Sequence, residues 1–496
     1  MFLKKIFPSI LLLLGVNSKI NAQEISFKWA QLKDIQHEGL LNPKIVLANE
    51  NGFYTYSNQS KSLFSYDLYI SKFDENAAFL KTEKISLPQR VKNEATLKTV
   101  FESKDNKSLF LISELFSNKE NLNLLYLQKY NATTEKLEAE IELNKIAFEK
   151  LSNSGSVLIC QSEDNSKFAV ITHYPQIKDS NEKIKTIVYD EQFKKLWEKE
   201  YSLSHPSEKG YNEQLFITNE GEIILAKVID EYKKDPKIFV FKINESEIKE
   251  IKISELEFYP LTYKIIQDEK KEIHISGYFT DNWKPTISVG GRKAKGVFSF
   301  NISQSKLTHK SNWDEKIKND FINLSLLDIT FINNELHLIG DVNSKKEVKT
   351  TTTSFESNFI YNSGPGVISK INSNNQLITS IFDYDEMKFN NRNGNVISFK
   401  PIQFKNELFL LGNDSEAILK GKKLVVGNEI YSKTVVFNKF DSKTNIIANP
   451  LWESGIGGKQ NVTILAPTYT KKINASKYYV YALGNEYQCF GVMNIK

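Results

Sequence analysis

Cysteine is nearly absent from this chain, with Cys160 and Cys489 the only two in 496 residues. Two thiols cannot build a disulfide scaffold or a cysteine-based zinc framework. They fall in apolar runs several repeats apart, so both read as small buried hydrophobes rather than a bridge. Arginine is almost as scarce: Arg90, Arg292 and Arg392 are the only ones, which leaves few bidentate phosphate clamps. Past the N-terminus no apolar run approaches the roughly 18 residues a membrane-spanning helix needs, which excludes a polytopic membrane protein. The six histidines (His37, His173, His205, His274, His309, His337) share no metal-ligand spacing, so a zinc site would have to be assembled entirely by the fold. No nucleophile-elbow context surrounds Ser113 or Ser276, and no phosphate-binding glycine loop occurs. No cofactor and no metal are expected from spacing alone.

What is present begins with an export signal. Lys4 and Lys5 precede the apolar run 10–16, and Ile20-Asn21-Ala22 offers a cleavage site before Gln23. The run is about half the length a bilayer requires, so it reads as a cleaved signal peptide (1–22) rather than an anchor. Cleavage removes Lys4, Lys5 and Lys19 and no acid, taking the formal net charge from +5 to +2. A near-neutral product gives no reason to expect nucleic acid as a partner. The expected location is periplasm, cell surface or medium.

The remaining chain, 23–496, reads as one all-β domain. Short runs of Val, Ile, Phe, Tyr and Leu alternate with Asn, Asp, Gly, Ser and Lys clusters, and long helical periodicity is missing. One submotif recurs at intervals of roughly sixty residues, the scale of a four-stranded repeat unit. It is a strand ending in Lys, an apolar residue, then Asp or Asn: Lys72-Phe73-Asp74, Lys129-Tyr130-Asn131, Lys242-Ile243-Asn244, Lys370-Ile371-Asn372 and Lys439-Phe440-Asp441. Tyr189-Asp190 and Phe300-Asn301 are looser equivalents. The Asp or Asn side chain caps a tight turn, after which a second amphipathic strand returns antiparallel.

Four strands per unit make a β-propeller, with units near 42–88, 94–144, 150–204, 210–254, 258–314, 323–385, 396–454 and 460–496. The count is eight four-stranded blades, or seven if one unit is divided wrongly. The last unit lacks a strand, and residues 24–32 are expected to supply it, closing the ring. Trp197, Trp313 and Trp452 fall on or just after fourth strands, and Trp29 occupies the matching place in that N-terminal segment.

Asp441-Ser442-Lys443-Thr444-Asn445 leading to Leu451-Trp452-Glu453-Ser454-Gly455-Ile456-Gly457-Gly458 resembles the bacterial beta-propeller (SBBP-type) repeat of secreted proteins. Ile275-Ser276-Gly277-Tyr278-Phe279 with Gly296-Val297-Phe298, and Leu411-Gly412-Asn413 with Thr434-Val435-Val436-Phe437, are similar to its second-to-third-strand portion. The resemblance covers units 5 to 7 and fades in units 1 to 4. It implies an exported propeller of Bacteroidetes-like type, and it supplies no catalytic residues.

In a propeller the second-to-third and fourth-to-next-first connections gather on one face, so their length marks the working face. Connections 280–295, 343–364 and 413–433 are long, predicting a raised rim on blades 5 to 7. Its candidate binding residues are Trp283, Arg292, Phe355, Phe359, Tyr361, Asp385, Arg392 and Tyr431: aromatic faces for sugars or side chains, with the nearby charges. The structural alternative is that the aromatics pin loops to their own blades. Asp383, Asp385 and Glu386 place three carboxylates in four residues, without the glycine-punctuated loop a calcium site needs.

The functional expectation is a monomeric binding or scaffolding protein holding an envelope protein or glycan. The alternative is a polysaccharide-active lyase or glycosidase with carboxylates meeting at the central channel. A quinoprotein dehydrogenase ranks last, because the repeated Trp lacks that family's glycine–tryptophan pattern.

Overall fold

The computed structural model describes residues 25–34, 37, 39–62, 65–91, 93–206, 210–229, 237–253, 258–281, 292–313, 321–322, 324–348, 358–382, 388–390, 398–415, 433–439, 447–452, 463–484 and 487–496. The expected signal peptide, 1–22, lies outside them. Among the described residues helix is limited to two short 3-10 turns, Leu151–Asn153 and Pro467–Tyr469, and no helix is long and apolar enough to cross a membrane.

The strands form antiparallel meanders in which each strand pairs with the next. Among the described residues, seven of these sheets are built from strands lying between residues 44 and 85, 96 and 147, 156 and 206, 210 and 253, 259 and 312, 324 and 390, and 400 and 452. An eighth combines Thr463–Leu465, Lys477–Gly484 and Tyr487–Ile495 with Ile25–Trp29 from the other end of the chain. The register of that closure runs from Ile25 opposite Ile495 to Trp29 opposite Gly491. Numbered in chain order, these sheets are blades 1 to 8.

The submotif acts as its chemistry requires. Asp74 Oδ1 accepts the N–H groups of Asn76 and Ala78, Asn131 Oδ1 those of Thr133 and Thr134, and Asn372 Oδ1 those of Asn374 and Gln376. Asp190 and Asn244 do the same in blades 3 and 4. These bonds satisfy turn N–H groups that no strand partner reaches.

Middle strands are packed on both faces and are therefore largely apolar, with polar residues such as Lys227 and His274 buried among them. Ile223–Ile229 and Ile273–Thr280 are buried at every position. Outer strands face water; Lys136–Ala147 is exposed over its first seven residues. Its alternating charges leave a poor template for pairing with another chain.

Among the described residues, eight buried clusters fill the seams between neighbouring blades. Seven join consecutive pairs from blades 1 and 2 through blades 7 and 8. The eighth brings Phe53 and Phe73 of blade 1 against Tyr479 and Phe490 of blade 8. With the last blade packed on the first, the sheets form a closed ring, the arrangement of a β-propeller.

Candidate functional site

Blade 6 departs from the common blade plan. Its second and third strands, Glu335–Val348 and Asn358–Ile371, are 14 residues each and outrun the first strand, Leu324–Ile332. Beyond Val342, which pairs with Leu324, the two long strands continue as a hairpin from Asn343 opposite Ser363 to Val348 opposite Asn358. A fifth strand, Lys388–Asn390, pairs along Ile360–Asn362, making this extension three strands wide.

The extension corrects the expectation that 343–364 is an irregular connection. Asn358-Phe359-Ile360-Tyr361 has strand propensity, and its backbone finds partners in Ser344–Val348, so most of the segment is ladder. The arm rises from the end of the blade where second-to-third connections gather.

Of the predicted rim residues, Phe359 and Tyr361 stand in this arm, in register with Glu347 and Lys345, and Tyr361 also with Phe389. Arg292 lies at the same end of blade 5, where Lys293 bridges to Ile322 and Ala294 N–H donates to Phe321 O, beside the connection that feeds blade 6. Trp283, Phe355, Asp385, Arg392 and Tyr431 lie outside the described residues, as do Asp383 and Glu386. Trp313 is structural: its indole N–H donates to Ser369 Oγ of blade 6 at 3.1 Å. His274 and His337 are buried near first-to-second turns, His274 against Phe331, as a repeated packing role requires.

A second polar assembly at the same end was not anticipated from sequence. At the seam of blades 3 and 4, Lys227 is 1% exposed and places Nζ 2.6 Å from both Glu182 Oε2 and Glu213 Oε1. His173 Nδ1 lies 2.5 Å from Glu182 Oε1, and His205 Nε2 lies 3.5 Å from Glu182 Oε2. Burial pushes the Glu182 carboxyl up, but the His173 hydrogen bond and the Lys227 charge outweigh it and hold it at about 2. Burial lowers His205 below the ordinary histidine range, against a smaller opposing effect of its bond to Pro206 O. The sequence signal was Lys227 itself. A lysine in the run Ile223–Ile229 must find counter-charges, though its spacing cannot say which.

Elsewhere carboxylates are used locally. Asp268, Glu272 and His274 cluster at the opposite end of blade 5, where Asp268 Oδ1 caps the turn by accepting from Lys270 and Glu272 N–H. A cavity of about 360 Å³ between blades 2 and 3 is lined by Lys104, Lys129, Phe110 and Phe193. Its lysines already pair with Asp164 and Glu138.

The fold thus defines the class, a β-propeller closed by its N-terminal strand. No family model matches the sequence, and no curated protein is similar to it. Among solved structures, the chain is similar to the WD40 domain of SCAP from fission yeast: 12% identity, TM-score 0.40, covering 95% of this chain and 98% of that one. It is also similar to a PL25 ulvan lyase, a polysaccharide lyase (9%, 0.37, 80% and 93%). A third is the β-propeller domain of the Trilobed protease from Pyrococcus furiosus (10%, 0.34, 73% and 96%). At these identities nothing of their activities passes to this chain.

Proposed function

We propose that the protein is an exported binding or scaffolding propeller that holds an envelope protein or glycan on the face carrying the blade 6 arm. One observation carries the reading: the Glu335–Val348 and Asn358–Ile371 hairpin continues past its own first strand and recruits Lys388–Asn390. The ladder from Asn343 to Val348 runs beyond the register of the blade's first strand and is not needed to complete the four-stranded blade. Its cost in chain ordering needs another return, and partner contact supplies one. Phe359 and Tyr361 bring aromatic chemistry to that arm, and Arg292 lies at the same end of the neighbouring blade. Export follows from the N-terminal signal, in line with the secreted-repeat resemblance of units 5 to 7.

The test replaces residues 343–363 with a two-residue turn. Cross-linking in the native envelope and binding to an envelope-glycan array are then measured beside the intact chain. Capture is expected to fall about tenfold or more, roughly 1.4 kcal/mol of binding, while the thermal transition of the ring is retained. Undiminished capture by a folded, armless protein overturns the reading.

A further inference from the structure

We propose that His173 and Glu213 hold a divalent transition-metal cation at the seam of blades 3 and 4, with Glu182 orienting the His173 ring and Lys227 holding the two carboxylates in position. Ligand atoms of the three residues lie within 4.8 Å of one another, although they come from three strands of two blades. His173 and Glu182 are buried, whereas Glu213 is 20% exposed and opens the group to solvent.

The hydrogen bonds assign the donors. His173 Nδ1–H donates to Glu182 Oε1, which turns the other nitrogen, Nε2, toward Glu213 Oε2 at 3.5 Å. That nitrogen is buried and has no hydrogen-bond partner. In this tautomer a lone pair faces a carboxylate with no proton between them, an arrangement that a cation relieves. The 3.5 Å gap is long for a charge-assisted hydrogen bond. It is close to the roughly 3.3 Å separating two ligands on a tetrahedral metal with bonds of about 2.0–2.1 Å. A carboxylate on the far nitrogen of a ligating imidazole is also the usual way such a ring is oriented.

His205 presents a second bare imidazole nitrogen to the same buried group. Its Nδ1–H donates to Pro206 O at 3.1 Å, leaving Nε2 bare. That nitrogen is buried, unpartnered and 3.5 Å from Glu182 Oε2, a second bare lone pair aimed at one of the two carboxylates. The charges agree, since two carboxylates face a single ammonium. Lys227 uses Glu213 Oε1 and so leaves Oε2 turned toward His173, and each carboxylate has lone pairs for both partners. Mixed imidazole and carboxylate donors suit zinc, cobalt or nickel better than calcium or magnesium, which take oxygen.

The test uses the chelator-stripped mature chain titrated with Co2+. A visible ligand-field band is expected to saturate near one equivalent and to bleach on adding Zn2+. His173→Gln and Glu213→Gln are each expected to weaken binding about a hundredfold or more. His337→Gln, buried in blade 6, should leave it unchanged. Should His173→Gln fail to fold, the Zn2+-dependent rise in the thermal midpoint is compared between the intact chain and the partly exposed Glu213→Gln. The proposal is overturned if neither band nor thermal shift appears up to about 1 mM metal, far above the affinity range of a protein metal site. It is equally overturned if the band survives in both variants. The first of these results would make the group a proton-filled ion-pair hub.

Discussion

Asn372 fixes a turn with one oxygen. Its Oδ1 accepts from Asn374 N–H at 3.0 Å and Gln376 N–H at 2.9 Å, while Asn375 sits at φ 60°. Asn372→Ala removes both bonds and is expected to cost about 1–2 kcal/mol in chemical denaturation, with Asn372→Asp nearly neutral. His337 makes a pH prediction. Burial pushes its imidazole down to about 4, while an unfolded histidine titrates near 6.5. Between those values the unfolded chain binds a proton that the folded chain refuses, so stability falls as pH drops from about 6.5 toward 4. His337→Gln should flatten that part of the stability–pH curve. An unchanged slope would assign the acid sensitivity to other groups. The turn residues were legible because their bonds span two to four positions. The environment of His337 was not, because its burial comes from packing.

At the scale of the element, the closing strand depends on a glycine. A Cβ on Gly491 would lie 2.7 Å from Trp29 Cε3 and 2.9 Å from Lys28 O. Gly491→Val is therefore expected to cost about 1–3 kcal/mol by overpacking. Adding Trp29→Ala should recover part of that loss, a coupling that a double-mutant cycle on thermal midpoints would detect. The sequence placed Trp29 at a fourth-strand position, and its cross-strand partner became visible only in the register. The blade 6 arm divides similarly. Length and composition marked 343–364 as exceptional, but the pairing of Tyr361 with Lys345 and Phe389 turned an expected loop into three strands.

For the whole molecule, closure by Ile25–Trp29 makes the ring cooperative across the full chain length. Removing residues 23–32 exposes the outer edge of Tyr487–Ile495, whose side chains are mostly buried in the closed ring. The truncated chain is expected to melt several degrees lower and to scatter light in a concentration-dependent way, because an unpaired apolar edge recruits other chains. A monomeric truncation with an unaltered midpoint would mean that the seams alone hold the ring.

Short apolar runs separated by turn clusters, turn-capping Asn and Asp, and one strand missing from the last unit determined the blades and their closure from sequence. Each of these is a local pattern or a simple count along the chain. Tertiary structure alone decided which polar groups meet between blades. Glu182 and Lys227 are 45 residues apart, on strands whose own patterns are satisfied without reference to each other. Their encounter depends on how one twisted sheet seats against the next, and no single strand's sequence encodes that.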